Sequence, residues 1–235
     1  MSVSNHFLES LSPSARADLE PHLELTELVR NRLVVDVGRP VEWVVLPIDA
    51  IISVIAVMAD GDQVESRTIG RESGFGLLHA LGSDTSYERI VVQVGGQAWR
   101  LRTEALTRAA AGNVELTHAI VRHAQATLIQ SAKLTACNTL HGAPARLCRW
   151  LVMTQDRLGS DVVPLTQEHL SIMLGVQRTT VTAMASALQA QKLIRYSRGK
   201  IRILDRPGLI ARSCECYGAL TRITARILGE DPRVR

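Results

Sequence analysis

The stretch LTQEHLSIMLGVQRTTVTAMASALQAQKLIRYSRGKIRIL, residues 165–204, decides how this chain is read. Pro164 ends whatever precedes it, and Thr166 is a good N-cap with Gln167 and Glu168 in the following turn, so a short helix is predicted there. Gly175 supplies a turn. Leu170, Leu174, Val176, Val181, Met184 and Leu188 can then share a core between two closely crossing helices. On the second helix, residues 178–192, Val181, Met184 and Leu188 fall on one side, while Arg178, Thr182, Ser186 and Gln189 fall on the other with Thr179 at its edge. Ile194-Arg195-Tyr196 and Ile201-Arg202-Ile203 next alternate around Ser197-Arg198-Gly199-Lys200, a hairpin tipped with two cations. Helix, glycine turn, helix and basic hairpin in this order spell a winged helix-turn-helix.

That pattern implies double-stranded DNA as partner. An arginine at the start of a recognition helix can reach guanine O6 and N7 with both arms, which assigns base reading to Arg178. Thr179, Thr182 and Ser186 would tune or anchor the contact, and Thr166, Arg198 and Lys200 would hold phosphates. Gln167 and Gln177 complete the candidate set. Two other readings compete: a helical hairpin buried in a different α/β domain, and a ligand-sensing or protein-interaction module whose helix-turn-helix is a protein contact.

The 235 residues suffice for one large domain or two small ones, and 46% hydrophobic with 21% charged residues describes an ordinary soluble chain. No segment approaches the roughly 18 uninterrupted apolar residues of a membrane span. The first twenty residues lack a basic segment followed by an apolar one, so a cytoplasmic location is expected. The net charge of +4 conceals segregation: residues 1–141 carry 12 Lys plus Arg against 16 Asp plus Glu, whereas residues 142–235 carry 15 against 7. Cations gather where the helix-turn-helix lies, as a polyanion partner requires.

Ahead of this motif, residues 8–27 read as a short amphipathic helix with a start at Ser12-Pro13-Ser14. Strand-like runs follow at 32–37, 43–47, 51–58, 63–69, 88–94 and 98–102, with Asp60-Gly61 and Gly95-Gly96 as turns needing positive φ. Many short strands without intervening long helices mean an antiparallel roll or barrel. From Thr103 a long helical segment runs to about Thr139 with a possible break at Gly112-Asn113. On it Leu116, Ile120, His123, Thr127, Gln130 and Leu134 recur at spacings of four and three, a seam assigned to dimerisation. The opposite stripe, with Val121, Leu128 and Ala132, is left to pack on the β-domain. The fold class is therefore α+β: a sensor-like antiparallel β-roll with its N-terminal helix over 1–103, a dimerisation helix over 104–141, and a winged helix-turn-helix domain over 142–235.

This order of parts resembles the Crp–Fnr family of bacterial transcription regulators, whose cyclic-nucleotide-binding-like roll, dimer helix and winged helix-turn-helix span nearly the whole chain. Leu46-Pro47 before Ile51-Ile52-Ser53, the Asp60-Gly61 hairpin, and Ile69-Gly70-Arg71-Glu72-Ser73-Gly74-Phe75-Gly76 ahead of Leu77-Leu78 carry the likeness beyond the C-terminal motif. The resemblance implies a cytoplasmic homodimer on a pseudo-palindromic promoter site, in contact with RNA polymerase. Candidate effector residues are Glu72, Gly76 and Arg89. If Gly76 and Arg89 match the family's ribose-binding glycine and phosphate-binding arginine, Leu77 replaces the carboxylate and Ile90 the hydroxyl residue. Neither can make the hydrogen bond the nucleotide needs, which implies regulation without the usual cAMP control. In the recognition helix Arg178 matches the family's guanine-reading arginine. Thr179, Ala183 and Gln177 stand where a glutamate, a second arginine and a serine cap are found, implying a different operator.

Cys137, Cys148, Cys214 and Cys216 include no N-terminal cluster of the oxygen-sensing kind. Cys214-Glu215-Cys216 is shorter than the usual C-x₂-C knuckle, and Cys137 with His141, at i and i+4, are two further possible ligands. Small apolar residues in a reducing compartment are the simpler reading, so no metal and no cofactor is expected. No Ser/His/Asp set, acid pair or phosphate loop points to catalysis, and His79, alone among the strand-like runs, cannot build a cupin metal site.

Overall fold

Trp43 to Pro47 form an apolar run because both of its sides are covered: Val45 faces the inside of a β-roll while Val44 and Leu46 face helices. The computed structural model describes residues 5–229, so 1–4 and 230–235, the outermost parts of the expected first and last domains, lie outside the described residues. The chain begins with α1 (His6–Glu9) and α2 (Pro13–Leu19), then β1 (Glu24–Leu28), β2 (Leu33–Val35), β3 (Trp43–Pro47), β4 (Ile51–Val57), β5 (Gln63–Ile69), β6 (Arg89–Val94) and β7 (Gly96–Arg102). Two antiparallel sheets, ordered β1-β7-β3 and β2-β6-β4-β5, enclose Val45, Ile52, Val54, Ile69, Phe75, Ile90 and Ala98. This is the expected roll.

The remaining elements are helical apart from the wing. They comprise α3 (Thr103–Gly112), α4 (Val114–Leu140), α5 (Ala143–Leu158), β8 (Val162–Val163), α6 (Gln167–Leu174), α7 (Arg178–Ala190), β9 (Ile194–Ser197), β10 (Lys200–Ile203), α8 (Arg206–Arg212) and α9 (Cys216–Leu228). The break at Gly112-Asn113 is real: Asn113 is extended and its side chain accepts from Glu115 N and Leu116 N, capping α4.

Three expectations are corrected. The helix expected over 8–27 ends early, and Glu24–Leu28 is a strand. Pairing with β7 satisfies its backbone along a full register, and Glu24 meets Arg100 directly opposite at 2.9 Å, which outweighs a weak helical period. Gly61 has φ 92°, as its turn requires, but Gly95 and Gly96 lie outside the positive-φ region. They are glycine for room, because a Cβ on Gly95 would meet Leu28 O at 2.9 Å and one on Gly96 would strike Asp49. The third correction is to the dimer seam. Leu116 and Ile120 are 0% exposed, His123 and Leu134 are buried, and Thr127 and Gln130 are half-buried. His123 bonds Ser73 Oγ through Nδ1 at 3.1 Å and packs edge-on against Phe7. The seam packs on the roll, and the stripe expected to do so is the one left outside.

Between the roll and the C-terminal domain lies a buried polar knot. Ser53 Oγ donates to Glu65 Oε2 at 2.5 Å, and Gln93 Nε2 reaches Glu65 Oε2 at 2.8 Å and Met173 Sδ at 3.1 Å. Burial pushes the Glu65 carboxyl up from 4.5 to about 7, against the opposing hydrogen bond from Ser53 and charge of Arg157. Because its folded pKa is raised, the unfolded chain loses this proton first as pH rises, so stability falls between pH 4.5 and about 7. At about 1.4 kcal/mol per unit the full loss is about 3 kcal/mol. Glu65→Gln should therefore be more stable than the parent at pH 8, with the difference vanishing towards pH 4.5, as read by chemical denaturation across that range.

Candidate nucleic-acid interface

Thr166 starts the interface by accepting from His169 N at 3.3 Å, which caps α6. Gly175 ends α6 in the left-handed region at φ 62°, where other residues are strained. Leu170, Met173 and Leu174 of α6 and Val181, Met184 and Leu188 of α7 then close one core with Leu147, Trp150 and Leu151 of α5. This packing turns the other face of α7 outwards. Gln177, Arg178, Thr179, Thr182 and Ser186 are all exposed there, and Arg178 has no ion-pair partner among the described residues. Gln177 precedes the helix without a side-chain cap bond, so the first-turn N–H groups of α7 face solvent as well.

Some expected residues have protein partners. Thr182 Oγ1 donates to Arg178 O at 2.9 Å and to Gln167 Oε1 at 3.1 Å, which ties the two helices of the motif together. The Thr166 hydroxyl is engaged with His169 Nδ1 at 2.7 Å. Gln189, assigned by periodicity to the outer face, instead accepts from Tyr196 N at 2.8 Å and pins the hairpin to α7.

The hairpin turns at Arg198, φ 49°, and Gly199, φ 71°, so both central residues are left-handed, as a type I′ turn demands. Arg198 and Lys200 are exposed at its tip. Ile194, Ile201 and Ile203 point into the core, and the alternation leaves Arg195 and Arg202 outside, directly opposite each other across the β9–β10 ladder. A like-charge cross-strand pair is unfavourable until an anion lies over it. Neither arginine was singled out from sequence, although the alternation with isoleucines was the signal for both.

The candidate effector residues do not converge. Arg89 donates from Nε and Nη2 to the two Asp36 oxygens at 2.9 and 3.1 Å, a bidentate pair whose first effect is to hold Asp36 below its usual range. Glu72 pairs with Arg157 of α5 at 2.8 Å. Burial alone would raise the Glu72 pKa, but the Arg157 charge and hydrogen bond outweigh it and hold the carboxyl below its ordinary value. Gly76 lies elsewhere, lining with Leu77, His79, His123 and Thr127 a space of about 50 Å³ between roll and α4. Small-molecule sites are usually several times larger, roughly 300–1,000 Å³.

The Crp-like helix-turn-helix domain family matches residues 145–212. No curated protein matches the chain in sequence. Among solved structures it is similar to FixK2 from Bradyrhizobium japonicum at 16% identity, covering 82% of this chain and 98% of that one with a TM-score of 0.68. A transcriptional regulator of the crp/fnr family from Eubacterium rectale aligns at 15% identity over 87% of this chain and 95% of that one, TM-score 0.66. The c-di-GMP responsive global regulator CLP of Xanthomonas campestris aligns at 14% over 82% and 99%, TM-score 0.65. Fold and helix-turn-helix together define the class: a β-roll protein that carries a Crp-like helix-turn-helix domain. In particular, residues 145–212 form a Crp-like helix-turn-helix domain, and the chain as a whole shares the fold of the crp/fnr regulator structures it aligns with.

The Arg157–Glu72 pair offers a test of how roll and head are joined. Arg157→Met leaves a carboxylate without its partner, so a loss of about 3 kcal/mol is expected in chemical denaturation at pH 7. Combining it with Glu72→Gln should restore most of that loss.

Proposed function

We propose that this protein binds a pseudo-palindromic promoter site in double-stranded DNA as a homodimer, contacts RNA polymerase there, and acts without the usual cAMP control. The observation that carries the proposal is the exposed polar face of α7, headed by unpaired Arg178 and flanked by the cationic hairpin. Arg178 reads a base, while Thr179, Thr182 and Ser186 adjust the contact from the same face. Arg198 and Lys200, with Arg195 and Arg202, lie along phosphates, and Gln167, Gln177 and Thr166 support the approach. Such a face, polar and cationic, suits a nucleic acid better than a protein partner. The role is exercised in the cytoplasm, where promoters are.

The dimer contact lies on the stripe of α4 that the roll leaves uncovered. Val114, Val121 and Leu128 are 66%, 51% and 71% exposed, and they recur every seven residues with exposed Ala132 on the same side. A heptad of this kind meets its own copy across a two-fold axis as a parallel coiled coil. Two recognition helices would then address half-sites about 34 Å apart. Independence from cAMP is supported by Leu77 and Ile90 at the expected contact positions, by Arg89 being held by Asp36, and by the narrow space beneath α4. The Xanthomonas campestris relative answers to c-di-GMP, and the same narrow space argues against that ligand binding here in the roll.

Gel-shift titration on promoter DNA should give steeply salt-dependent binding. Arg178→Ala is expected to lose roughly 1–3 kcal/mol of specific affinity while non-specific binding persists. Unchanged operator affinity would remove Arg178 from base reading. Separately, Leu128→Glu should halve the mass measured by sedimentation and weaken operator binding, whereas Thr127→Ala on the covered side should leave the mass unchanged.

A further inference from the structure

Four metal-binding side chains that are far apart in sequence meet where the end of α4 crosses the start of α9. Cys137 lies in the last turn of α4 and His141 is the extended residue that caps its end, while Cys214 and Cys216 alternate where the chain enters α9. Their donor atoms all lie within 4.8 Å of one another. Cys137 Sγ is 3.5 Å from Cys214 Sγ, and Cys216 Sγ is 3.6 Å from His141 Nδ1. Around tetrahedral zinc, with Zn–S of about 2.3 Å and Zn–N of about 2.05 Å, the sulfur–sulfur separation is roughly 3.8 Å and the sulfur–nitrogen one roughly 3.6 Å. The three cysteines are buried and His141 is half-buried.

We propose that Cys137, His141, Cys214 and Cys216 form a Cys₃His site for one zinc ion that fastens α9 to the end of α4. Binding is written as Zn²⁺ plus three Cys–SH and one neutral imidazole, giving a complex of net charge −1 and releasing three protons to solvent. A second observation bears on that negative charge. Arg149 of α5 is 6% exposed and makes no ion pair among the described residues; its Nε has no partner, and Nη1 reaches only Met153 Sδ at 3.5 Å. A buried cation without an anion is costly. Its field acts on Cys137, Cys214 and Cys216 alike, so a zinc-thiolate cluster supplies the missing counter-charge. Cys216 is also the first residue of α9, where the helix dipole favours a thiolate.

Soft thiolates with one imidazole in tetrahedral array select zinc over magnesium, calcium or manganese. With four protein donors and no open position, the site is structural rather than catalytic. Cys148, which packs in the core of the C-terminal domain, is not part of it. The proposal stands whether or not the protein reads DNA as described above, because it concerns metal content alone.

The full-length protein, purified under reducing conditions from zinc-supplemented cells, should carry one zinc per chain by elemental analysis. Cobalt(II) exchanged into it should give the visible ligand-field bands and thiolate charge transfer of a tetrahedral site. His141→Ala and Cys216→Ser should each weaken zinc at least tenfold in chelator competition, while Cys148→Ala retains it. His141 is only half-buried, so its variant keeps the fold, which circular dichroism verifies. Wild-type protein that takes up neither zinc nor cobalt overturns the proposal. So does metal retained in both ligand variants, or a Cys137–Cys214 disulfide formed in preference to zinc binding when both zinc and oxygen are supplied.

Discussion

One side chain makes the charged link between the two halves of this molecule. Arg157, in the last turn of α5, reaches into the roll, where its Nε donates to Glu72 at 2.8 Å and its Nη1 to Thr68 Oγ1 at 2.6 Å. Its carbonyl accepts from Arg71 Nε at 2.8 Å. Gly70 is glycine for this reason, since a Cβ there would stand 2.8–2.9 Å from the Arg157 side chain. A guanidinium buried to this degree is tolerated only with its charge matched and its donors satisfied. The roll and the reading head are therefore held in one relative position by an interaction that is strong only when its geometry is right.

The long helix has two unlike faces. Its inner seam is mixed in character because it faces a mixed surface: Leu116 and Ile120 complete the apolar cluster of α1, α2 and α3, while His123 answers Ser73 and Phe7. The outer stripe is apolar but faces solvent, and burying it against a second copy recovers about 25 cal/mol for each Å² covered. Polarity alone pointed the other way. A seam containing His, Thr and Gln resembles a specific dimer contact, whereas His123 is matched to Ser73 of the same chain and Thr127 and Gln130 are half-buried beside it.

What the sequence made legible was whatever depends on local periodicity. The winged helix-turn-helix, from the Thr166 cap through Gly175 to the Arg198-Gly199 turn, follows from spacing and turn chemistry. The roll follows from its run of short strands. Contacts between segments distant in the chain were not legible. Nothing local told that Glu24–Leu28 would take the edge of β7, that Arg89 would be matched by Asp36, or that Gln189 would hold the wing rather than face outwards. Arg195 and Arg202 were visible as alternating residues, but their opposition across the ladder needed the register. The cysteines show the same limit. Cys137 and His141 were a legible i, i+4 pair, but their meeting with Cys214 and Cys216 is set by how α9 packs on α4.

The proposed two-fold dimer gives a reason for the head to be fastened at so many points. In a two-fold dimer any tilt of one reading helix relative to α4 is repeated by its partner, so the separation of the two helices changes twice as fast as either head moves. Half-sites one turn of DNA apart leave little room for such error. Fixings of different chemistry restrain this tilt on separate sides of the head. The Arg157–Glu72 pair acts at the end of α5, and Gln93 meets Met173 on α6. His169 Nε2 meets Asn31 Oδ1 at 3.1 Å at the turn between β1 and β2, and α9 lies along α4. An ion pair resists separation, apolar packing resists hydration, and hydrogen bonds to fixed loops resist rotation. Each fixing removes a motion that the others allow, so that the position of Arg178 relative to the roll depends on all of them together.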